Sequence, residues 1–339
     1  MNIHPFEWRD FPLLHSYRNQ GLFLDSTRVF IHGPSLVPLG ALLTFLGPAT
    51  RSYTYRCENC SPAGKPLIGQ VTHGMGTSYA RLSFLAPENS MEIADLSALL
   101  DYMAMQIGNQ GAFHILADVN ESSQVYQIIR RVGFAIYARQ RIWQLDKQAT
   151  GEEDKVPWRA IGSSDMIGAR SLYSNVVPGL VQQVEPMSKK TLKGFVHRHN
   201  GDIRAFVELK YGRHGIWVQP YVHPDVENFD RKLAFLLNRL PGRRNRPLYI
   251  CVRSYQSWLE TDIEAIGALP GPQQAVMVRH LAIANRVKQT HPLPVMNGTH
   301  AEPTVPIAQI ENAKPLELSE IENHPRADSL TRGKRNLQK

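Results

Sequence analysis

Apolar residues along the chain follow two alternating patterns, short β-rich runs and longer stretches at helical spacing. "SYTYRCEN", "KPLIGQVTH" and "YARLSFLA" (52–59, 65–73 and 79–86) are rich in strand formers and split by glycine or proline turns. They predict three successive antiparallel strands. "NIHPFEW" reads as a short strand before them, and Arg9–Gln20 and Ser35–Leu46 as helices. From about Met91 to Gly108 the period changes, with Leu96, Leu99, Leu100, Met103 and Ile107 on one helical face. The strand "FHILADV", a helix carrying Val125, Ile128, Ile129 and Val132, and a closing strand pair follow.

A second patterned set runs from Trp158 to about Arg286: "RAFVELK", "GIWVQPYV", a helix with Phe229, Leu233, Leu236, Leu237 and Leu240, then "LYICV". Sliding one set along the other by 134 residues pairs Leu116 with Ile250, Val125 with Leu259, Ile129 with Ile263 and Val132 with Ile266. Gly133 and Gly267 end the two matching helices, where a left-handed cap favours glycine. The chain therefore reads as a tandem repeat. Residues 1–148 form the first domain, 149–157 a polar linker, 158–286 the second domain, and 287–339 a tail too poor in apolar residues to offset the entropy of ordering.

Composition narrows the picture only coarsely. Of 339 residues, 42% are hydrophobic and 20% charged, which suits a globular protein of two domains. No apolar run is long enough for a membrane span. The start lacks the basic-then-apolar order of a secretory signal. Three cysteines cannot build a disulfide framework, and a cytoplasmic location is the expectation. The net charge of +8 favours anionic partners without choosing among them.

Two stretches carry the closest resemblance to a known family: "RLSFLAPE" leading into a helix, and "LADVNESSQVYQIIRRVGFAIYARQRIW". Their order of elements is similar to the GNAT superfamily of acyl-CoA-dependent N-acyltransferases, with Pro87, Asn120, Gly133, Phe134 and Tyr137 falling in its pattern. The likeness covers nearly all of residues 1–148 and, more weakly, 158–285. It implies an α/β fold of tandem GNAT-like mixed β-sheet domains with flanking helices, the two domains pairing within the chain. It also implies acyl transfer from acetyl-CoA or another acyl-CoA to an amine, on a small molecule or a protein, that the residues do not identify. No metal is required, and neither nucleic acid nor membrane is an expected partner.

The same resemblance assigns roles to residues. Backbone groups of Phe84 and Leu85 on the fourth strand, of Ser90, Met91, Glu92 and Ile93 at the following helix start, and Asn120 would hold the cofactor. Tyr126 would protonate the leaving thiolate or serve only as a packing aromatic. Glu88 or Asp118 would act as base, or else cap a helix or form an ion pair. A diphosphate needs open N–H groups at a helix start, yet Glu88–Asp95 contains no glycine. Asn89 and Glu92 have the spacing of a capping box, and Asp95 complements the dipole. "VHPDVENFD" in the second set repeats this, with Asp225 as N-cap. Both helix starts are thus expected to be closed by their own carboxylates, which leaves either a weakened acyltransferase or a non-catalytic protein that binds a ligand or partner in the cleft.

Three further motifs have plain structural readings beside functional ones. "CENC" (57–60) is half of a zinc site, a redox pair or a hairpin loop. "GRRNRP" (242–247) is an anion-binding lip or a helix C-terminal cap. "GQVTHGMG" (69–76) holds turn glycines.

Overall fold

The computed structural model describes residues 2–17, 19–34, 50–58, 65–88, 92–187 and 192–281. The helix expected over Ser35–Leu46, Cys60 and the tail from 287 lie outside them.

The first half begins with β1 (Asn2–Pro5) and α1 (Phe11–Ser16), shorter than the helix expected over Arg9–Gln20. A two-residue strand, β2 (Leu22–Phe23), and α2 (Ser26–His32) follow; the apolar pattern announced neither. Then come β3 (Thr50–Glu58), β4 (Leu67–Gly74), β5 (Tyr79–Ala86), α3 (Ile93–Asn109), β6 (His114–Asn120), α4 (Gln124–Arg131) and β7 (Ala135–Leu145). The expected closing pair is one long strand. The second half holds β8 (Trp158–Ala160), α5 (Met166–Val176), α6 (Gly179–Val184), β9 (Gly194–His199), β10 (Asp202–Tyr211), β11 (Ile216–Val222), α7 (Phe229–Asn238), β12 (Leu248–Arg253), α8 (Leu259–Ala265) and β13 (Leu269–His280).

All the described strands belong to one 13-stranded mixed sheet, in the order β1-β3-β4-β5-β6-β13-β7-β12-β11-β10-β9-β8, with β2 beside β5. The last strand of the second half thus lies between the last two of the first, antiparallel to both. β7 in turn pairs with β12. β13 is buried on both sides: Ala275 and Met277 enter one cluster, Val276 and Val278 another. That double burial explains its run of apolar residues.

Helices α3 and α4 pack on one face of β4–β6, and α3 buries Leu96, Leu99, Leu100, Met103 and Ile107 to 1% exposure or less. Helices α7 and α8 cover β10–β12 in the same way. The opposite face carries α2, α5 and α6. Gly133 and Gly267 do have positive φ, at 93° and 86°.

The offset of 134 holds for the helices, since Val125, Ile129 and Val132 lie in the first core and Leu259, Ile263 and Ile266 in the second. It fails by one residue for the strands. Ile115, Ala117 and Val119 face the first core, and Leu248, Ile250 and Val252 the second. Leu116 therefore points to the opposite side from Ile250, because a slip of one flips a strand's faces. The equivalents differ by 133, which sets Asp118 against Cys251. The polar stretch after β7 is tied down rather than loose: Ala149 N donates to Asn238 Oδ1 at 2.7 Å and Thr150 N to Ile266 O at 2.9 Å.

Candidate functional site

β5 and β6 run parallel only over Tyr79–Arg81 and His114–Leu116. Beyond that their ladder stops, and the register of β4 on β5 breaks at Ser83, where two-to-one pairing makes a bulge. The opening between them is filled by the chain itself. β2 pairs with β5, Leu22 opposite Leu85 and Phe23 opposite Phe84. Leu24 N donates to Ser83 O at 3.2 Å, and Asp118 N donates to Leu24 O at 2.8 Å. Leu24 thereby bridges both strands, and its side chain, 1% exposed, joins the first core. Gly21 permits this approach, since a Cβ there would fall 1.9 Å from Cε2 of Phe84. Glu88 N closes the lower end on Gln20 O at 2.8 Å.

The second half has the same parallel stub, Ile216–Val218 beside Leu248–Ile250. Here the register of β10 on β11 is unbroken. Among the described residues no third strand pairs in the gap. Instead the side chain of Gln256, 3% exposed, donates to Val222 O at 3.1 Å.

Neither helix start is built as expected. The N-cap of α3 is Glu92 itself, in extended conformation and without a side-chain capping bond; Asn89 lies outside the described residues. The N-cap of α7 is Asn228, left-handed at φ 50°, not Asp225, which pairs with His223 at 3.4 Å. Acidic groups still stand at both starts: Asp95, and in the second half Asp230 with Asp262. Burial, then the neighbouring Asp230, raises the Asp262 carboxyl above its ordinary range.

The residues proposed for chemistry are scattered. Tyr126 packs half-buried on the first core, under Arg130 at 5.7 Å. Asp118, of opposite parity to Ala117 and Val119, points to the other face of β6. Glu88 is exposed. Phe84 is fully buried among Leu14, Tyr17 and Ile68, and it and Leu85 lie in the ladder to β2. Asn120 accepts from Ser122 N at 3.0 Å, an Asx turn that leads into α4. Glu92 and Ile93 open α3; Ser90 and Met91 lie outside the described residues.

What does converge is a buried polar chain on the face of α2, α5 and α6. Arg81 Nη1 lies 3.6 Å from Asp118 Oδ1, and Arg81 Nη2 pairs with Glu185. Arg253 Nη2 meets Glu185 Oε2 at 2.8 Å, and Tyr137 donates to the same oxygen at 2.9 Å. Burial alone would raise Glu185, but Arg81 and Arg253 outweigh it and hold the carboxyl at about 2. Asp118 is raised, because burial exceeds the pull of Arg81. Sequence gave no sign of this cluster, whose members Arg81 and Glu185 stand 104 residues apart.

A cavity of about 290 Å³ opens on one side of this chain, lined by Arg253, Glu185, Glu208, Gln219 and four tyrosines. A second, of about 420 Å³, opens on the other, lined by Arg81, Asp25, Arg28 and His32. Thr77, Tyr79 and Lys210 belong to both.

The arginine and glycine motifs are structural where they are described. Arg243 donates to the carbonyls of Leu145 and Asp146 at 3.3 and 3.2 Å, and Arg246 to that of Gly212. Cys57 is fully buried at the end of β3. Gly76, at φ 77°, makes the turn before β5. Among the described residues no group of three or more His, Cys, Asp or Glu is placed to hold a metal, and no helix is long and apolar enough to cross a membrane.

No family model and no curated protein matches the chain. Solved structures do. A GCN5-related N-acetyltransferase from Sphaerobacter thermophilus superposes with a TM-score of 0.53 at 10% identity, over 83% of this chain and 95% of that one. A tandem GNAT protein from the clavulanic acid biosynthesis pathway gives 0.49 at 14%, over 83% and 98%. A GNAT-family acetyltransferase from Colwellia psychrerythraea gives 0.43 at 13%, over 83% and all of that chain. Identities this low establish shared fold alone.

Proposed function

With the fold of the GCN5-related N-acetyltransferases as premise, we propose that this chain is a small-molecule-binding protein that does not use acyl-CoA at either of its strand gaps. The carrying observation is Leu24, hydrogen-bonded to Ser83 on β5 and to Asp118 on β6. An acyl-pantetheine arm would need that same gap, and the backbone groups that would receive it are taken. The diphosphate fares no better. A helix start favours an anion through unpaired N–H groups and its dipole, but Asp95 at α3, and Asp230 with Asp262 at the second gap, set like charge there. The residues present therefore do not fit acetyl-CoA or another acyl-CoA, and no transfer step is derived through one.

The face bearing α2, α5 and α6 retains two open cavities lined by charged and phenolic side chains. Concave sites with a few convergent polar groups are where small ligands bind. Acetyl-CoA titrated to millimolar concentration should leave the melting temperature unchanged, and no free thiol should appear when amines are added. A saturable rise in melting temperature with acetyl-CoA would overturn this reading, because a ligand that binds only the folded state must stabilise it.

A further inference from the structure

We propose that the larger cavity, beside α2, binds a small phosphate monoester, its phosphate held by Arg28 together with Lys210. The inference rests on the ligand-binding reading above and names the ligand class.

Arg28 lines this cavity of about 420 Å³ and is only partly exposed. Its backbone N–H donates to the Asp25 carboxylate at 3.1 Å, but its guanidinium has no hydrogen-bond, ion-pair or ring partner among the described residues. Arginines taken out of water are as a rule paired. Burial lowers the Arg28 value, and the nearby Asp25 offsets that only in part. The unpartnered nitrogens of Arg253 are sealed within the protein, whereas those of Arg28 are not and can be reached from the cavity. An open, unmatched guanidinium on a concave wall is the group that takes an oxyanion in two parallel hydrogen bonds.

Charge selects an anion here, and phosphate among anions. Three permanent cations, Arg28, Arg81 and Lys210, line the cavity against one acid, Asp25, which is buried and already caps α2. The smaller cavity has Glu185 and Glu208 in its wall and would repel the same ligand. Arg81 is countered by Glu185 and Asp118, which leaves Arg28 and Lys210 to meet the anion. A carboxylate has two oxygens, which the Arg28 fork alone would fill. A phosphate monoester has a third oxygen and a second charge, and these match Lys210. Thr27 and His32 add a hydroxyl and a ring nitrogen to the wall, while Ile31 and Tyr79 give the organic part apolar and aromatic surface.

The test is differential scanning fluorimetry of the full chain with inorganic phosphate titrated to about 10 mM, against sodium chloride and sodium acetate of equal ionic strength. Phosphate should give a saturable rise in melting temperature of about 2–4 °C. Salts that act by exclusion from the surface also stabilise, but without saturation and without regard to any one side chain. Arg28→Gln should therefore weaken the phosphate effect by about tenfold or more in apparent affinity, and Arg28→Lys, which keeps the charge but not the fork, by less. Each shift is read against the same variant without phosphate, so a change in the variant's own stability cancels. Arg131→Gln, on an exposed position of α4, should keep the full response. The proposal is overturned if phosphate does no more than chloride, if acetate matches it, if the rise does not saturate, or if Arg28→Gln responds like the parent. A rise with acetyl-CoA that persists in Arg28→Gln would overturn instead the reading on which the proposal rests, so the two failures are distinct.

Discussion

The two strand gaps are closed by different means. In the first, main chain does it: β2 and Leu24 add a stretch of backbone between β5 and β6. In the second, one side chain does it, Gln256 reaching Val222. The register break at Ser83 accompanies the first and is missing from the second. A gap that admits a third segment needs strands bent apart, and a bulge supplies the bend. Without it the strands diverge less, and an amide side chain suffices. One fold has thus had the same opening sealed twice, by independent local solutions.

This comparison can be broken in graded steps. The largest effect is expected from Glu185→Gln, which leaves Arg81 of the first gap and Arg253 of the second without their shared counter-charge. Removing one partner of a buried ion pair costs about 3–5 kcal/mol, to be read by urea denaturation. The same carboxyl predicts an acid transition. Its folded value, about 2, lies below the unfolded value of roughly 4.3. Its contribution is therefore complete above the unfolded value and fades as pH falls from there toward 2. The Gln variant should lose that part of the acid dependence.

Next comes the main-chain seal. Leu24→Ala should cost about 2–5 kcal/mol, the range for a fully buried leucine, and Gly21→Ala about 1–3 kcal/mol through collision with Phe84. If either variant also gains affinity for acetyl-CoA, the gap is a seat held shut. Gln256→Ala should cost less, about 1–3 kcal/mol, because it strands a single buried carbonyl. A larger loss there than at Leu24 would reverse the ranking of the two seals.

The smallest effect is at the start of β6, where His114 Nδ1 lies 3.1 Å from His280 Nδ1 across the ladder to β13. Burial and then His280 depress the His114 value. Its neutral form is the stabilising one, so stability is present above the unfolded value near 6.5 and declines as pH falls through the lower folded value. His114→Asn should flatten that slight decline in thermal midpoint. Pro247, the equivalent position just before β12, gives the second half no counterpart.

Much of the scaffold was legible because it is periodic. The faces of α3, α4 and α7 and the strands β3–β6 follow from spacing alone, and the helix-ending glycines from their conformational freedom. The seal was not legible. A strand of two residues has no period, and Leu22–Phe23 became a strand only through its partners more than 60 positions later. The hint was Gly21 before an apolar triplet, followed by Asp25, which does cap α2 by accepting from Arg28 N at 3.1 Å. Spacing put Glu92 at the third helical position, whereas it is the N-cap, because the helix starts only at Ile93. Glu185 escaped notice because a buried acid is defined by its cations, Arg81 and Arg253, which arrive from distant strands. The pairing of Leu116 with Ile250 failed because the turn after the strand differs by one residue between halves.

The position of β13 has a consequence for biosynthesis. β6 and β7 are finished once residue 145 is made, yet they are not neighbours; the strand that joins them ends at His280. A nascent chain must carry both edges unzipped through roughly as much translation again, and such edges are sticky. Ribosome-stalled lengths ending before residue 269 should accordingly recruit chaperones, and release should follow emergence of the last strand.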